Sequence, residues 1–301
     1  MALGSVVEVA EGVYAYVQHQ GTWWVSNAGF VVGGGGVVSI DSCATERRTR
    51  AYLDAIEAHG VGPVTTLVNT HQHGDHTNGN CLFEVATVIG HRQCRAGVLA
   101  TPIGGREEIF GVVDWGDLEL RAPDVTFDAR LDVHAGETLI ELHHFGAPAH
   151  TGGDVVAWLP EHEVLFAGDL VFNGSTPFFL RGSLVGSLAA LDHLRELGAS
   201  TIVPGHGPVG GPELLDQVAD YLGWIQQVAE AMVDAGIAPL EAARQTDLGP
   251  FAAWGERERL VANLRRAQAE ALGQELDETQ FGLAYQEMVA FNGGRALRCL
   301  A

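Results

Sequence analysis

The sequence contains no lysine. All 17 basic residues are arginines, against 38 aspartates and glutamates, so the formal net charge is −21. A surface this acidic repels phosphate backbones and anionic lipid headgroups. We therefore expect neither nucleic acid nor a membrane as a partner of this protein.

Long apolar runs and paired cysteines are also missing. No stretch approaches the ~20 apolar residues that a transmembrane helix needs. The N-terminal sequence MALGSVVEVAEGVYAY has no basic leader before an apolar segment, so we expect a cytoplasmic protein. Four cysteines, Cys43, Cys81, Cys94 and Cys299, include no C-x-x-C pair. We expect reduced, structural thiols in that compartment.

The local patterns predict an α/β fold. Short β-branched or aromatic runs fill the first 40 residues, residues 44–60 have helical spacing that ends at Gly60, and 64–70 is a buried strand. Further strands, a helix and a strand follow, and this order predicts a four-layer αββα sandwich. From Pro212 onwards only helical patterns occur. We predict a catalytic domain over 1–211 and a helical C-terminal extension over 212–301 that packs on it.

The stretch NTHQHGDHTNGN, residues 69–80, concentrates side chains that bind metals. His71, His73, Asp75 and His76 fall within six positions, directly after the predicted strand 64–70. A polar surface loop is the ordinary explanation for asparagine, glycine and histidine in such a stretch. Half of a metal site is the other explanation, and it requires further ligands elsewhere in the chain.

Later strand ends supply those further ligands. His150 follows a predicted strand in GAPAHTGGD, Asp169 ends EVLFAGD, and His206 follows a strand in IVPGHGP. Loops at strand ends are where α/β proteins place their functional residues. The complete set of metal-ligand candidates is His71, His73, Asp75, His76, His150, Asp169 and His206.

Seven ligands are too many for one catalytic zinc ion, which keeps about three protein ligands. Neutral imidazole suits zinc, so we predict two Zn²⁺ ions per chain. His71 and His73 alternate along an extended segment and point the same way, whereas the residues after the turn at Gly74 can face a second ion. We assign His71, His73 and His150 to the first ion, Asp75, His76 and His206 to the second, and Asp169 to a bridge between them.

The motifs THQHGDH, HTGGDV, LFAGD and VPGHGP resemble those of the metallo-β-lactamase fold over roughly residues 5–210. That resemblance implies a dinuclear hydrolase site between the loop edges of two sheets. Within the superfamily, di-iron flavoproteins place Glu where His73 stands, and lactonases place Tyr where Phe172 stands. Glyoxalase II-like enzymes commonly use lysine to bind glutathione, and secreted β-lactamases need a signal peptide. Since the sequence has neither lysine nor a recognisable signal peptide, we do not expect it to belong to these branches.

A closer resemblance covers nearly the whole chain and rests on softer motifs, among them DSCATERRTR, GDLVFNGSTPFFLRGS and EMVAFNGGR. These are similar to the actinorhodin-type thioesterase/cyclase enzymes of bacterial aromatic polyketide pathways. The resemblance implies an aromatic polyketide bound to an acyl carrier protein as the substrate. It also implies two activities, aldol closure of the second ring and hydrolysis of the thioester.

Residue chemistry is compatible with a metal-dependent thioesterase. A thiol has a pKa near 8.5 and can leave as thiolate without a general acid. Asp75 is the one side chain that we assign a catalytic role in proton transfer. The aromatic residues expected to bind a flat substrate are Trp23, Trp24, Phe172, Phe178 and Phe179.

Three questions stay open from the sequence. The alternative function is a stand-alone zinc hydrolase of a small free ester, lactone or thioester. Docking of an acidic carrier protein would require a local basic patch, for which Arg92, Arg95, Arg106 and Arg121 are candidates. The C-terminal helices are expected to cover the active-site mouth or to form a homodimer, because their apolar faces must be buried.

Overall fold

The computed structural model describes residues 3–18, 22–59 and 62–301. The N-terminal strands form the first sheet, in which they lie side by side in chain order. Strands β1 to β4 pair antiparallel, and β4 to β7 pair parallel. The strands are β1 (Gly4–Ala10), β2 (Val13–Gln18), β3 (Ala28–Gly33), β4 (Gly36–Ile40), β5 (Val64–Asn69), β6 (Thr87–His91) and β7 (Val125–Phe127).

The second sheet contains the strands that follow. They also lie in chain order, with the first four antiparallel and the last pair parallel. They are β8 (Arg130–Ala135), β9 (Thr138–His143), β10 (Val156–Leu159), β11 (Val164–Phe172) and β12 (Thr201–His206).

Helices connect the parallel strands and make up most of the C-terminal part. Gly60, which we expected to end the first helix, lies outside the described residues. The helices are α1 (Glu46–Glu57), α2 (Gly74–Thr77), α3 (Arg92–Ala100), α4 (Glu107–Phe110), α5 (Leu184–Leu197), α6 (Glu213–Ala235), α7 (Pro239–Gln245), α8 (Arg259–Ala271) and α9 (Glu278–Phe291).

Three hydrophobic clusters define the layers. Between the sheets, Val38 and Val68 of the first sheet share a cluster with Ile140 and Leu159 of the second. Outside the first sheet, Tyr52 and other residues of α1 pack on β3 and β5. Outside the second sheet, helices α5, α6, α8 and α9 pack on β11. The order helix, sheet, sheet, helix confirms the predicted αββα sandwich and the helical C-terminal part.

The C-terminal helices share one hydrophobic cluster with the second sheet. Tyr221 of α6 and Leu264 of α8 belong to the same cluster as Val171 of β11. The helices are therefore packed on the sandwich, while the division into domains at residue 211 stays a prediction. In the part of the chain that the structure describes, no helix combines the length and apolarity needed to cross a bilayer.

One strand extends further than the sequence predicts. We expected Asp169 to end its strand, but β11 continues to Phe172. Its pairing with β12 becomes irregular between Gly168 and Phe172, and Gly168 has a φ of 51°. A β-bulge of this kind bends the strand and redirects a side chain. A Cβ on Gly168 would lie 2.9 Å from Thr70, so glycine also permits the close approach of β5.

Candidate metal centre

The segment after β5 turns sharply. His71 and His73 lie on the chain leaving Asn69, and the single helical turn α2 starts directly after His73. Because of this turn, the side chains of Asp75 and His76 point in a different direction from those of His71 and His73. The Thr77 hydroxyl donates to the His73 carbonyl over 3.0 Å and fixes the turn.

Three imidazoles form the first cluster. Nδ1 of His73 lies 3.1 Å from Nε2 of His71 and 2.8 Å from Nε2 of His150. The three rings are almost mutually perpendicular, with interplanar angles of 85°, 89° and 87°. The three nitrogens therefore face one point, as ligands of a single ion do. This is the grouping that we predicted for the first ion.

Asp75, His76 and His206 form the second cluster. Oδ2 of Asp75 lies 3.4 Å from Nε2 of His206 and 3.8 Å from Nε2 of His76. One ligand atom from each of these three residues lies within 4.8 Å of the others. The structure thus brings together the three side chains that we predicted for the second ion.

Asp169 lies between the clusters. Its Oδ1 is 3.2 Å from Nε2 of His76, and its Oδ2 is 3.4 Å from Nε2 of His150 and 3.2 Å from Nε2 of His206. One carboxylate therefore faces both sets of nitrogens, which is the geometry of a bridging ligand. Gly205 makes room for it, because a Cβ there would lie 1.9 Å from Asp169 Oδ1.

The second ring nitrogen of several ligands is held by an oxygen. Nδ1 of His206 lies 3.0 Å from the Val25 carbonyl, and Nδ1 of His150 contacts the Phe178 carbonyl. Such contacts fix the ring orientation and leave Nε2 free for a metal. They explain why residues from distant elements, rather than the motif alone, determine the ligand geometry.

Asp41 performs this role for His76, and the sequence analysis missed it. Directly after β4, its carboxylate accepts the Thr70 amide and hydroxyl, each over 2.7 Å, and lies 2.8 Å from Nδ1 of His76. It is buried, with a φ of 61°. The sequence did contain a signal for this role, because VVSID is a buried strand followed by an aspartate. Since β4 pairs parallel with β5, Asp41 lies at the same end of the sheet as the histidines that follow β5.

Burial controls protonation in the first cluster. It lowers the pKa of His71 well below the usual value and lowers the pKa of His73 to about 3. Both imidazoles are therefore neutral at neutral pH. Neutral imidazole is the form that binds a metal.

Carboxylates control protonation in the second cluster. Burial lowers the pKa values of His76 and His206, but Asp169 and the other nearby carboxylates more than offset it. The pKa of His206 is raised to about 9, and that of His76 is raised well above its usual value. Burial raises the pKa of Asp75, yet His76 and His206 bring it down to about 2. Asp75 is therefore ionised at neutral pH and has no proton to donate.

Two buried atoms test whether metal ions fit this site. Nε2 of His76 and Oδ1 of Asp169 lie 3.2 Å apart without the geometry of a hydrogen bond, and neither atom has another hydrogen-bond partner among the described residues. Buried polar atoms normally have partners, so an orphaned imidazole nitrogen facing an orphaned carboxylate oxygen needs an explanation. Bound cations would satisfy both atoms. The donor set of imidazoles and carboxylates fits them.

The two clusters line a cavity of about 370 Å³. Of the aromatic residues predicted to bind substrate, Trp23, Trp24, Phe172 and Phe178 line this cavity. The Phe172 ring stacks on His206, with centroids 5.1 Å apart and planes 1° from parallel. These four residues are therefore placed beside the clusters, and their contact with a substrate stays a prediction.

Phe179 does not line the cavity, contrary to expectation. Its side chain is fully buried in the cluster formed by β11 and the C-terminal helices. Successive residues in an extended segment point in opposite directions, so Phe178 faces the cavity while Phe179 faces the core. Its backbone amide donates to Asn263 of α8 over 3.3 Å.

Several cavity residues were not predicted as substrate-binding residues. They come from the 101–111 segment, from the loop before α5 and from the C-terminal helices. The charged and aromatic members of this set are Arg106, Phe110, Arg181, Arg259, Glu278 and Tyr285. Of these residues, Arg181 alone lies in a motif quoted above, GDLVFNGSTPFFLRGS; the others converge through tertiary packing.

Arg106 is the one candidate for a basic patch that lines the cavity. Arg92 pairs with Asp128 over 2.8 Å, and Arg95 donates to the Pro123 carbonyl. Arg121 donates to the carbonyls of residues 83 and 86 over 2.7 and 2.6 Å. Three of the four candidate arginines are therefore engaged with neighbouring groups, and the basic patch stays a prediction.

A sequence model described as the metallo-beta-lactamase superfamily matches residues 21–206. The match spans more than half of the chain and includes all seven clustered ligands. The chain belongs to the metallo-β-lactamase superfamily. The arginine and aromatic residues that α8 and α9 contribute to the cavity lie outside the matched range.

Known proteins of this superfamily resemble the chain at moderate identity. A metallo-beta-lactamase type 2 from Bacillus cereus is 27% identical over 192 residues, covering 62% of this chain and 69% of the relative. A hydroxyacylglutathione hydrolase from Methylococcus capsulatus is 28% identical over 202 residues, covering 65% and 62%. A metallo-beta-lactamase structure from Pontibacter korlensis superposes with a TM-score of 0.61 at 23% identity, covering 73% of this chain and 99% of that one. The last likeness concerns the fold alone.

Proposed function

We propose that this protein is a dinuclear zinc hydrolase that cleaves an aromatic acyl thioester. The observation that supports it is the placement of seven metal-ligand side chains beside a cavity of about 370 Å³ with aromatic walls. Membership of a superfamily of metal-dependent hydrolases supports the reaction class. Fold alone does not identify a substrate, so the residues of the cavity carry the remaining argument.

Zinc is the ion that best fits the donor set. Five imidazoles and two carboxylates match its preference, and hard cations such as Mg²⁺ favour oxygen ligands. Two bound zinc ions supply activation of water and polarisation of the acyl carbonyl. The chain's own task is then to hold the ligands in place and to orient the acyl group.

The protein residues around the centre fit that task. Asp75 is ionised and lines the cavity, so it can accept a hydrogen bond from an attacking water molecule and orient it. Trp23 and Phe178 meet edge to face, with ring centroids 5.0 Å apart, and limit the entry of bulk water. Their faces and edges offer stacking contacts to a flat acyl group.

The leaving group favours a thioester over an amide. A thiolate departs without protonation, whereas an amine needs a proton. Asp75 is ionised in the resting protein and has no proton to donate. A relative is named hydroxyacylglutathione hydrolase, and acylglutathiones are thioesters. We extend the proposal to an aromatic polyketide on an acyl carrier protein, with ring closure by aldol reaction before hydrolysis.

A second candidate is a stand-alone zinc hydrolase of a small free ester, lactone or thioester. The similarity to a metallo-beta-lactamase type 2 favours it, because that relative is named for a free substrate. The two candidates share the metal centre and differ in the acyl group and its carrier. Substrate comparison therefore separates them.

We expect an aromatic acyl thioester on an N-acetylcysteamine arm to be hydrolysed at least about a hundredfold faster than the matching anilide, which needs a positioned acid. The matching lactone should also react more slowly. Rates are measured at equal substrate concentration, with and without a chelator, and the chelator should abolish turnover. If a lactone or a β-lactam reacts as fast as the thioester, the thioesterase proposal gives way to the second candidate.

Zinc uptake is expected to reach two equivalents per chain and to depend more strongly on pH for one of them. His76 and His206 have raised pKa values, so they hold protons at pH 7 that zinc must displace. Affinity at the second cluster should therefore rise as the pH increases towards about 9. His71 and His73 have lowered pKa values and are already neutral, so zinc displaces no proton from these two ligands of the first cluster.

Calorimetric titration of the metal-free protein at several pH values measures this difference. Repeating the titration in buffers of different ionisation enthalpy counts the protons that are released when each equivalent of zinc binds. Binding of a single equivalent at every pH would refute the dinuclear assignment. Equal proton release by both equivalents would refute the assignment of charge to the two clusters.

A further inference from the structure

The cavity is positively charged on the side that does not hold the metal ligands. Besides Asp75 and Asp169, the charged residues that line it, within the described part of the chain, are three arginines and one glutamate. We call Arg106, Arg181 and Arg259 the wall arginines. The glutamate is Glu278 of α9. An excess of cations on this wall, three arginines against one glutamate, is notable in a chain whose formal net charge is −21.

Aromatic rings connect the metal ligands to the wall arginines. The Phe172 ring stacks on His206, and the Arg259 guanidinium lies 5.5 Å from the centre of the Phe172 ring and 4.4 Å from that of Trp23. The ring of Trp23 is next to that of Tyr285, with centroids 6.4 Å apart. A flat acyl group along this path would lie between the metal centre and α9.

Arg106 lies at the solvent side of this path. Its guanidinium is 4.5 Å from the centre of the Tyr285 ring, and the residue is exposed. Among the described residues, no carboxylate or carbonyl forms an ion pair or hydrogen bond with its side chain. A guanidinium oriented by an aromatic ring keeps its N–H donors available for a ligand.

Arg181 shares the single glutamate of this wall. It forms a bidentate pair with Glu278, with both N–O distances 2.7 Å. Hydrogen bonding to Arg181 lowers the pKa of Glu278, and the charge of Arg106 lowers it further. One carboxylate therefore lies near two guanidinium groups, which leaves a net positive charge at this end of the cavity.

Arg259 has a structural role, which distinguishes it from Arg106. It is buried, and its Nη1 donates to the Thr176 carbonyl over 2.9 Å, so it supports the loop that leads to Phe178. Arg181 likewise attaches α9 to the loop before α5. Arg106 forms no comparable link within the described residues, and packing alone does not explain its position.

We propose that Arg106, supported by Arg181, binds an anionic group on the substrate, a carboxylate or a phosphate, while the acyl carbonyl reaches the metal centre. This inference rests on the proposed function and specifies its substrate class as acyl thioesters that carry an anion. Two sources of the anion fit the same chemistry. One is the phosphate of a phosphopantetheine arm, and the other is a carboxylate on the aromatic acyl group. Guanidinium binds both in the same bidentate manner.

The test is a binding measurement with thioethers, which resemble the thioester but cannot be hydrolysed. The probes are a naphthylmethyl thioether of pantetheine, the same thioether of phosphopantetheine, and a carboxynaphthylmethyl thioether of pantetheine. We expect at least one anionic probe to bind the metal-loaded protein about tenfold more tightly than the neutral probe, on the scale of a hydrogen bond to a charged group. The anionic probe that gains affinity identifies the source of the anion.

Variants then locate the anion. Arg106→Gln should remove the preference for the anionic probe and leave the affinity for the neutral probe unchanged, and Arg106→Lys should restore part of the preference. Glu278→Gln should strengthen the preference, because it frees Arg181. Arg47→Gln is the matched control: it removes an equal charge from an exposed site on α1 that does not line the cavity.

Three results would overturn the inference. They are equal binding of all three probes, a preference that survives Arg106→Gln, and an equal loss of affinity for all probes in that variant. Hydrolysis plays no part in this measurement. A protein that binds the anionic thioether through Arg106 but hydrolyses no thioester would refute the proposed reaction and leave the anion site intact.

Discussion

Replacing Asp169 with alanine is expected to remove at least one metal ion per chain and to slow acyl hydrolysis by about a thousandfold, a loss typical of removing a group that stabilises developing charge. Its carboxylate faces nitrogens of both clusters at 3.2 to 3.4 Å. Without it, both clusters would lose the anionic group that they share. Metal content per chain and the rate with a fixed thioester measure the two effects.

A matched aspartate controls for the loss of charge. Asp128 is exposed and pairs with Arg92, so Asp128→Ala should retain the metal content and rate of the parent protein. Addition of excess zinc should not restore the Asp169→Ala variant, because the missing ligand belongs to the centre itself. Full metal content and full activity in that variant would refute the bridging role.

The ligand set could be predicted from the sequence because metal binding is restrictive. Only a few residue types bind zinc, and each ion needs several of them. Four candidates lie in residues 71–76, and the others lie within, at the end of or after strands β11, β12 and β9. Local chemistry and simple topology therefore sufficed to group the side chains, and the structure places them together.

Residues that position the ligands but lie far from them in the sequence could not be predicted in this way. Asp41 contacts His76, which is 35 positions away, and no motif links the two. The redirection of Asp169 depends on a bulge at Gly168, and a strand pattern does not reveal a bulge. Phe178 and Phe179 are identical in type, so only backbone direction decides which one faces the cavity.

The residues of the cavity wall could not be predicted from the sequence for the same reason. Arg106 contacts Tyr285, which lies 179 positions further along the chain, and composition at either position gives no sign of this. The helical patterns after Pro212 did predict the helical C-terminal part that contains Tyr285 and Arg259. They could not predict which of its polar residues would point into the cavity. That choice depends on how the helices pack against β11.

Ending the chain at Gly211 is expected to prevent formation of a soluble, active protein. Truncation would expose the cluster that Tyr221, Leu222 and Leu264 share with β11. It would also remove Arg259 and Tyr285 from the cavity wall. Solubility, circular dichroism and size-exclusion chromatography of the truncated chain test this. A soluble, fully active monomer would contradict it and would make the helices dispensable.

Asn263→Ala tests the same dependence in a full-length chain. Asn263 of α8 donates to the Pro177 carbonyl over 2.8 Å and to the Tyr221 hydroxyl over 2.9 Å, and it accepts the Phe179 amide. It thus fixes the loop whose Phe178 carbonyl contacts the His150 imidazole. We expect the variant to be destabilised by about 3 kcal/mol, since buried polar groups lose their partners.

The Asn263→Ala substitution should also weaken metal binding. If the loop loosens, His150 loses the contact that orients its ring, and zinc affinity at the first cluster should fall by about tenfold or more, as for other residues that orient metal ligands. The second cluster should be unaffected, because its histidines are held by Asp41 and by the Val25 carbonyl. Gln217→Ala, which removes an amide side chain from an exposed position of α6, serves as the control. Equal zinc affinity in the Asn263→Ala variant and the parent protein would show that α8 supports the fold without positioning His150.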